Sequence, residues 1–414
     1  MVELSMHLMT EPNTQPVLAD AARHMAPGLI TRQRVVAGGA YEVFGDGAVV
    51  HLSNGRTVLD FGSYAVPLFG HRPTSVLTMV RTALDQMPTT TRLLANPYSV
   101  QFAQRLATTI APATLSRVCL GLNGSDAVEM ALKLAIARTG RNAILAVDGG
   151  FHGKSMGALA ATYDADRRRP VAGFLGDARH IGWIPEAVAE AARERPFAAL
   201  IFEPVQGEGG GRAIPAELLR RWTRDAHAAG AYVIADEIQC GLRRCGPMSV
   251  AESEQLGVDA ILLGKALGGG VMPLSAVVCS DDIFQPLIDD PFFHTTTFGG
   301  HPASCAAGLA ALELLEELDE RFSEASRDLA ATMQTLRGLG PVIRSEAIGL
   351  FGVLEFATPA AASMAVLQAG RRGLLMAPCL TAPRVARLLP PVVTTSGQFA
   401  DATATLAAVC QRLG

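Results

Sequence analysis

The chain has 414 residues, 49% of them apolar and only 18% charged, which allows two or three domains around a sizeable buried core. Lys and Arg (35) against Asp and Glu (39) leave a formal charge of −4, so no basic stripe marks nucleic acid as a partner. No apolar stretch reaches the ~20 residues that span a bilayer, so no membrane partner is expected. Met1-Val2-Glu3-Leu4-Ser5-Met6-His7 lacks the cationic and apolar regions of a secretory signal, and a cytoplasmic location is the expectation. The seven cysteines are scattered. Cys240 and Cys245 are spaced C-x4-C without a second pair or nearby His, so buried or incidental thiols are expected rather than a zinc site.

In chain order, Tyr41–Phe44, Ala48–Leu52 and Thr57–Asp60 read as short strands joined by tight turns at Gly45-Asp46-Gly47 and Asn54-Gly55. The middle alternates short apolar runs with helical patterns. The runs are Val118–Leu122, Ala143–Val147, Ala198–Phe202, Ala231–Ala235, Ala260–Leu263 and Ala276–Cys279. That alternation predicts βαβ units and a largely parallel sheet. From about Pro302 the period becomes helical, and after Gly340 shorter strand-like pieces follow at Pro341–Arg344, Gly349–Phe356 and Arg387–Leu389. They predict a small α+β domain that the N-terminal meander joins, closed by a helix from Phe399 to Leu413. The expected division is 1–65 as an N-terminal segment of the small domain, 66–300 as the large domain and 301–414 as the C-terminal small domain.

Ligands of open α/β sheets bind beyond the carboxyl ends of the strands, and here unusual residues follow one strand after another. Gly124-Ser125, opening a helix, offers free N–H groups and a hydroxyl to a phosphate; an ordinary capping box is the plain alternative. Phe151, in Gly149-Gly150-Phe151-His152-Gly153-Lys154, can lie on a flat heterocycle or merely pack down. His152 is a candidate base, with a structural histidine as the simpler reading. Glu203 and Glu208 flank the glycine-rich stretch Glu203-Pro204-Val205-Gln206-Gly207-Glu208, as an acid/base pair, as partners of a cation or as a solvated loop. Asp236 ends an apolar strand, where burial requires a cationic partner. Lys265, in Gly264-Lys265-Ala266-Leu267-Gly268-Gly269-Gly270, ends the next; burial of its amine favours the neutral, Schiff-base-forming state, although a simple Asp–Lys ion pair remains the alternative. Together these residues supply a covalent amine, an acidic partner, a phosphate cup and a stacking aromatic, the set that pyridoxal 5′-phosphate (PLP) requires.

At these motifs the sequence resembles the class III aminotransferases, the group of the ornithine, acetylornithine, diaminobutyrate and GABA enzymes, from about Tyr41 to Pro391. The resemblance implies a fold type I α/β architecture: a large domain with a mostly parallel seven-stranded sheet flanked by helices, plus the small α+β domain. It implies Lys265 as the Schiff-base lysine and Asp236 as the partner of the pyridine nitrogen. Phe151 and Ile238 would cover the two ring faces, and Gln239 would reach the phenolic oxygen. Gly124, Ser125, His152 and Glu203 fall among the family's cofactor-binding positions. Thr297, in His294-Thr295-Thr296-Thr297-Phe298-Gly299-Gly300-His301, would reach the cofactor phosphate of a neighbouring subunit, implying a homodimer with shared sites. Arg387 would grip a substrate carboxylate with Glu208 as its alternate partner, and Tyr64 would contact substrate. The implied reaction is amino transfer between an amino acid or ω-amine and a keto acid, 2-oxoglutarate foremost, in specialised biosynthesis. PLP-dependent epimerisation, elimination or replacement shares these anchors and is the rival. An inert PLP-free α/β protein and a glycosidase using the two glutamates rank behind it.

The pattern departs from the family in places. Leu122-Asn123-Gly124-Ser125-Asp126-Ala127 stands for the usual Asn-Ser-Gly-Ser-Glu-Ala, a glycine usual near Arg243 is missing, and Glu346-Ala347 replaces a common Arg-Gly. His301 replaces a frequent Asn.

Overall fold

A computed structural model describes residues 14–111 and 115–414. Strands β1 (Glu42–Asp46), β2 (Val49–Leu52) and β3 (Thr57–Phe61) form the expected antiparallel meander. Strands β4 (Arg117–Gly121), β5 (Ile144–Val147), β6 (Ala178–Ile181) and β7 (Ala199–Phe202) follow. A two-stranded hairpin, β8 (Val205–Gln206) and β9 (Arg212–Ala213), then precedes β10 (Tyr232–Asp236), β11 (Ala260–Leu263) and β12 (Ser275–Cys279). The central sheet has the order β4-β12-β11-β10-β7-β5-β6. It is parallel except for β12, which runs antiparallel to both neighbours. Its inner strands are buried on both faces, so Ile, Leu, Val and Ala run through them without alternation. Each larger side chain so buried contributes roughly 1.5–3 kcal/mol.

The C-terminal part adds β13 (Val342–Ile348), β14 (Phe351–Phe356), β15 (Leu374–Pro378) and β16 (Val385–Leu388). These share a second sheet with the meander, β1-β2-β3-β15-β16-β14-β13, joined where β3 pairs in parallel with β15. The two ends of the chain therefore form one structural unit. No helix among the described residues is long and apolar enough to cross a membrane.

Arg244 links the two sheets. It lies in the loop after β10, is 1% exposed, and donates from Nη1 to Leu350 O at 3.0 Å and Pro390 O at 2.7 Å, both in the C-terminal unit. Removing a buried donor leaves both carbonyls without a partner. Arg244→Ala is expected to lower unfolding stability by about 2–4 kcal/mol in urea titration.

Candidate active site

The carboxyl ends of β4, β5, β7, β10 and β11 open on one edge of the central sheet, and a cavity of about 260 Å³ lies there. Ten of the residues singled out in the sequence line it: Gly124, Ser125, Phe151, His152, Glu203, Glu208, Asp236, Ile238, Gln239 and Lys265. Arg387, on β16, reaches the same place from the second sheet by bonding to two of them.

Asp236 is buried at the last position of β10. Its Oδ2 lies 2.8 Å from His152 Nδ1 and its Oδ1 accepts the Ile238 N–H at 3.1 Å. The His152 backbone N–H donates to Thr162 Oγ1 at 2.9 Å, and its Nε2 has no partner among the described residues. His152 thus orients Asp236, the structural role the sequence left open beside that of a base. Lys265 follows β11 in the left-handed backbone region (φ 48°), an uncommon conformation for a side-chain-bearing residue and a form of strain that concentrates at functional sites. Burial pulls its amine below the usual lysine value, opposed by the carboxylates of Asp236, Glu203 and Glu208 and reinforced by Arg387.

Glu203 and Glu208 are both buried, which excludes the solvated-loop reading. Glu203 accepts the Phe151 N–H at 2.8 Å and the Gly207 N–H at 3.0 Å, tying the loop that carries the aromatic ring to the β8–β9 hairpin. Burial pushes its carboxyl up to about 7, against the His152 and backbone contacts that favour ionisation. Glu208 forms an ion pair with Arg387 Nη2 at 2.7 Å and accepts the Leu380 N–H at 2.8 Å. Arg387 is fully buried and also donates to Gln239 Oε1 at 2.9 Å and Pro378 O at 3.1 Å.

At the other end of the cavity the helix Gly124–Thr139 begins. Asn123 is its N-cap in a reciprocal capping box with Asp126, so the cap reading holds. The cap leaves the Gly124 and Ser125 N–H groups without acceptors among the described residues, so the helix end still offers donors to an anion. Ile238 packs against this helix start: a Cβ on Gly124 would lie 3.0 Å from Ile238 Cδ1.

Tyr64 and Thr297 do not line the cavity. Tyr64 is 56% exposed because Tyr64 and Ala65 are consecutive left-handed residues (φ 53° and 67°), a turn that buries Ala65 instead. Thr297 is exposed in the loop before the helix Pro302–Glu317. Three contributors were not assigned to the site from the sequence: the lining residues Asn123 and Gly153, and the Leu380 N–H that holds Glu208. Gly153 stands inside a quoted motif, whereas a backbone donor carries no sequence signal. Cys240 and Cys245 are free, buried thiols, and no group of His, Cys, Asp and Glu among the described residues could hold a metal ion.

A family model described as aminotransferase class-III matches residues 42–410. The chain belongs to the class III aminotransferases. Among solved structures, the ornithine aminotransferase of Toxoplasma gondii ME49 is 25% identical with a TM-score of 0.87, over 100% of this chain and 98% of that one. An amine transaminase from an uncultivated Pseudomonas species, solved with PLP bound, is 26% identical with a TM-score of 0.81, over 91% and 95%. An adenosylmethionine-8-amino-7-oxononanoate aminotransferase from Methanocaldococcus jannaschii, 22% identical with a TM-score of 0.83 over 90% and 93%, shares the fold. Family membership implies PLP as cofactor and transamination as the activity of this class III enzyme.

The raised carboxyl of Glu203 has a stability consequence of definite sign. The folded protein holds this proton more tightly than the unfolded chain, so the group's contribution is fully present below about pH 4.5 and is lost as pH rises towards about 7. In urea titrations of cofactor-free protein across that window, Glu203→Gln is expected to show a shallower fall in stability than the unsubstituted chain. Equal slopes would remove Glu203 as the source.

Proposed function

We propose that this class III aminotransferase transfers an amino group from an amino acid or ω-amine to 2-oxoglutarate, with Lys265 as the amine that binds PLP. The observation that supports it most is the enclosure of Lys265 in one cavity with Asp236, Phe151, Ile238 and a helix start whose first N–H groups are unused. These residues fit the cofactor by their chemistry. Asp236, oriented by His152, would hold the pyridine nitrogen; Phe151 and Ile238 would cover the ring; Gly124 and Ser125 would receive the phosphate. Pyridoxal phosphate supplies an electron sink that makes the donor's Cα–H acidic.

The protein's own groups then have distinct tasks. Lys265 Nζ, its amine drawn towards the neutral state by burial, would take the proton from the donor Cα and deliver it on the cofactor side. Arg387, paired with Glu208 in this resting arrangement, turns to a keto-acid carboxylate and binds it through two parallel N–H groups. With Arg387 and Glu208 paired, the pocket is self-neutralised, which suits a donor whose far end carries no carboxylate. Two unlike substrates can thereby share one site. The departures from the family pattern leave room for a specialised biosynthetic role, and the seven free, buried thiols fit a reducing cytoplasm.

Thr297 has no place in its own chain's cavity, which supports a homodimer in which it reaches the neighbouring phosphate site. Mixing Lys265→Ala with Thr297→Ala subunits is expected to restore activity, because one site in each mixed dimer is then intact. For random pairing the recovery approaches about a quarter of the unsubstituted value. No recovery would place Thr297 in its own subunit's site or outside both.

The visible absorption of purified protein, followed before and after adding L-glutamate without keto acid, tests the proposal directly. The PLP band is expected to convert to the pyridoxamine form, and Lys265→Ala to lower turnover by at least about 10³-fold. A band that glutamate leaves unchanged would move epimerisation, elimination or another donor ahead. No band after PLP addition would overturn the cofactor assignment.

A further inference from the structure

Gln239 has a bond that its expected role does not require. Its Oε1 accepts from Arg387 Nη1 at 2.9 Å, deep in the site, beside the Glu208–Arg387 pair. A guanidinium has no acceptor, so any contact with it obliges the amide to present oxygen on that side. The amide's NH2 must then face away from Arg387. Gln239 lines the cavity, and its Nε2 has no protein partner among the described residues although the side chain is 7% exposed. An oriented, unused donor therefore faces the space assigned to the cofactor.

The placement is held from behind by a close approach. A Cβ on Gly207 would lie 1.6 Å from Gln239 Oε1 and 2.6 Å from Cδ, so only a glycine there admits the amide. The same Gly207 gives its N–H to Glu203 at 3.0 Å and precedes Glu208. Arg387 thus stands between two side-chain partners, one anionic and one neutral, and its Nε is a third donor with no partner among the described residues.

We propose that Gln239 couples Arg387 to the cofactor: Arg387 fixes the orientation of the Gln239 amide, so that capture of a substrate carboxylate by Arg387 changes the hydrogen bond Gln239 gives to the cofactor's phenolic edge. In the resting arrangement the cation polarises the amide, and a hydrogen bond accepted at its oxygen strengthens the one donated by its nitrogen. When a carboxylate draws Arg387 away, the amide loses both the polarisation and the constraint on its orientation. Its donation to the phenolic oxygen weakens, and that edge of the ring holds a proton more readily. The cofactor then registers whether the carboxylate-bearing substrate or the carboxylate-free one occupies the site. This inference rests on the assignment of the cavity to PLP and makes Gln239 a positioning residue for the half-reaction that follows.

The test follows the pH titration of the cofactor's visible band in the purified holoenzyme, without and with saturating glutarate, a dicarboxylate with neither amine nor keto group. In the unsubstituted enzyme glutarate is expected to raise the band's midpoint. In Gln239→Met the midpoint without glutarate starts higher, and glutarate moves it less than in the unsubstituted enzyme, by at least about half a pH unit. Gly207→Ala, which displaces the same amide without altering its chemistry, is expected to reproduce both changes. Any direct effect of glutarate's charge persists in all three proteins and cancels in the comparison. Overturning results are an unsubstituted enzyme whose midpoint ignores bound glutarate, or equal shifts with and without Gln239. A protein that shows no band at all fails the cofactor assignment itself, which separates that failure from this one.

Discussion

Buried charge at the mouth of the central sheet is the constraint on which the site depends. Asp236, Glu203, Glu208, Lys265 and Arg387 are gathered about one small cavity, largely out of water, where none could remain ionised alone without a cost of several kcal/mol. Each is answered locally. Arg387 meets Glu208, Asp236 meets His152, Glu203 takes two backbone N–H groups, and Lys265 relaxes towards neutrality among three carboxylates. The answers differ in kind, and the difference separates chemical tasks. Arg387 keeps an anionic partner in Glu208. Asp236 is held by His152, and Lys265 has no hydrogen-bond partner among the described residues.

The fold makes this gathering possible by strand order rather than by sequence proximity. Parallel β5, β7, β10 and β11 deliver Phe151, Glu203, Asp236 and Lys265 to one edge, and antiparallel β12 sets β4 with its helix start across from them. The second sheet supplies Arg387 from β16 and the Leu380 N–H from the preceding loop, so the Arg387–Glu208 pair draws on a different structural unit from the one that carries Lys265 and Asp236. Arg244 holds the two units in register from beneath, through the loop that follows Asp236. Glu203 works at the same junction, since its two acceptor bonds join the Phe151 loop to the hairpin that ends in Glu208.

Much of this was legible in the amino-acid sequence, because buried parallel strands are continuous apolar runs punctuated by glycine. Six strands of the central sheet lie within about one residue of their expected positions. The seventh, β6, was missed: it is a half-buried edge strand whose middle residues are Arg179 and His180. β15 was missed because Leu374-Leu375-Met376-Ala377 has no alternation to separate strand from helix. The reversed direction of β12 leaves no trace either, since Ser275–Cys279 would be equally apolar running the other way. Within the site, charged residues at strand ends stood out, and ten of the thirteen residues named from the sequence line the cavity. The contact of Gln239 with Arg387 did not stand out, because it depends on a space that only Gly207 leaves open. The outward face of Tyr64 depends on two successive left-handed residues, neither of them a glycine.

Those unusual left-handed residues also explain how the chain tolerates its departures from the family pattern. Arg243, near which the family pattern carries a glycine, has a backbone conformation that favours glycine, with φ 64° beside Leu242 at 52°. Such a conformation costs of order 1–3 kcal/mol for a side-chain-bearing residue, so something must offset it. The Arg243 side chain does so by leaving the site: its guanidinium lies 4.8 Å from the Phe322 ring centroid, donates to Leu315 O at 3.2 Å and pairs with Asp319. Asp126, in place of the longer glutamate, still closes the capping box of the cavity-lining helix, because a carboxylate one carbon shorter reaches the Leu122 and Asn123 N–H groups. In both cases the side chain's own contacts hold the local backbone path, through Leu315, Phe322 and Asp319 for Arg243 and through the Leu122 and Asn123 N–H groups for Asp126.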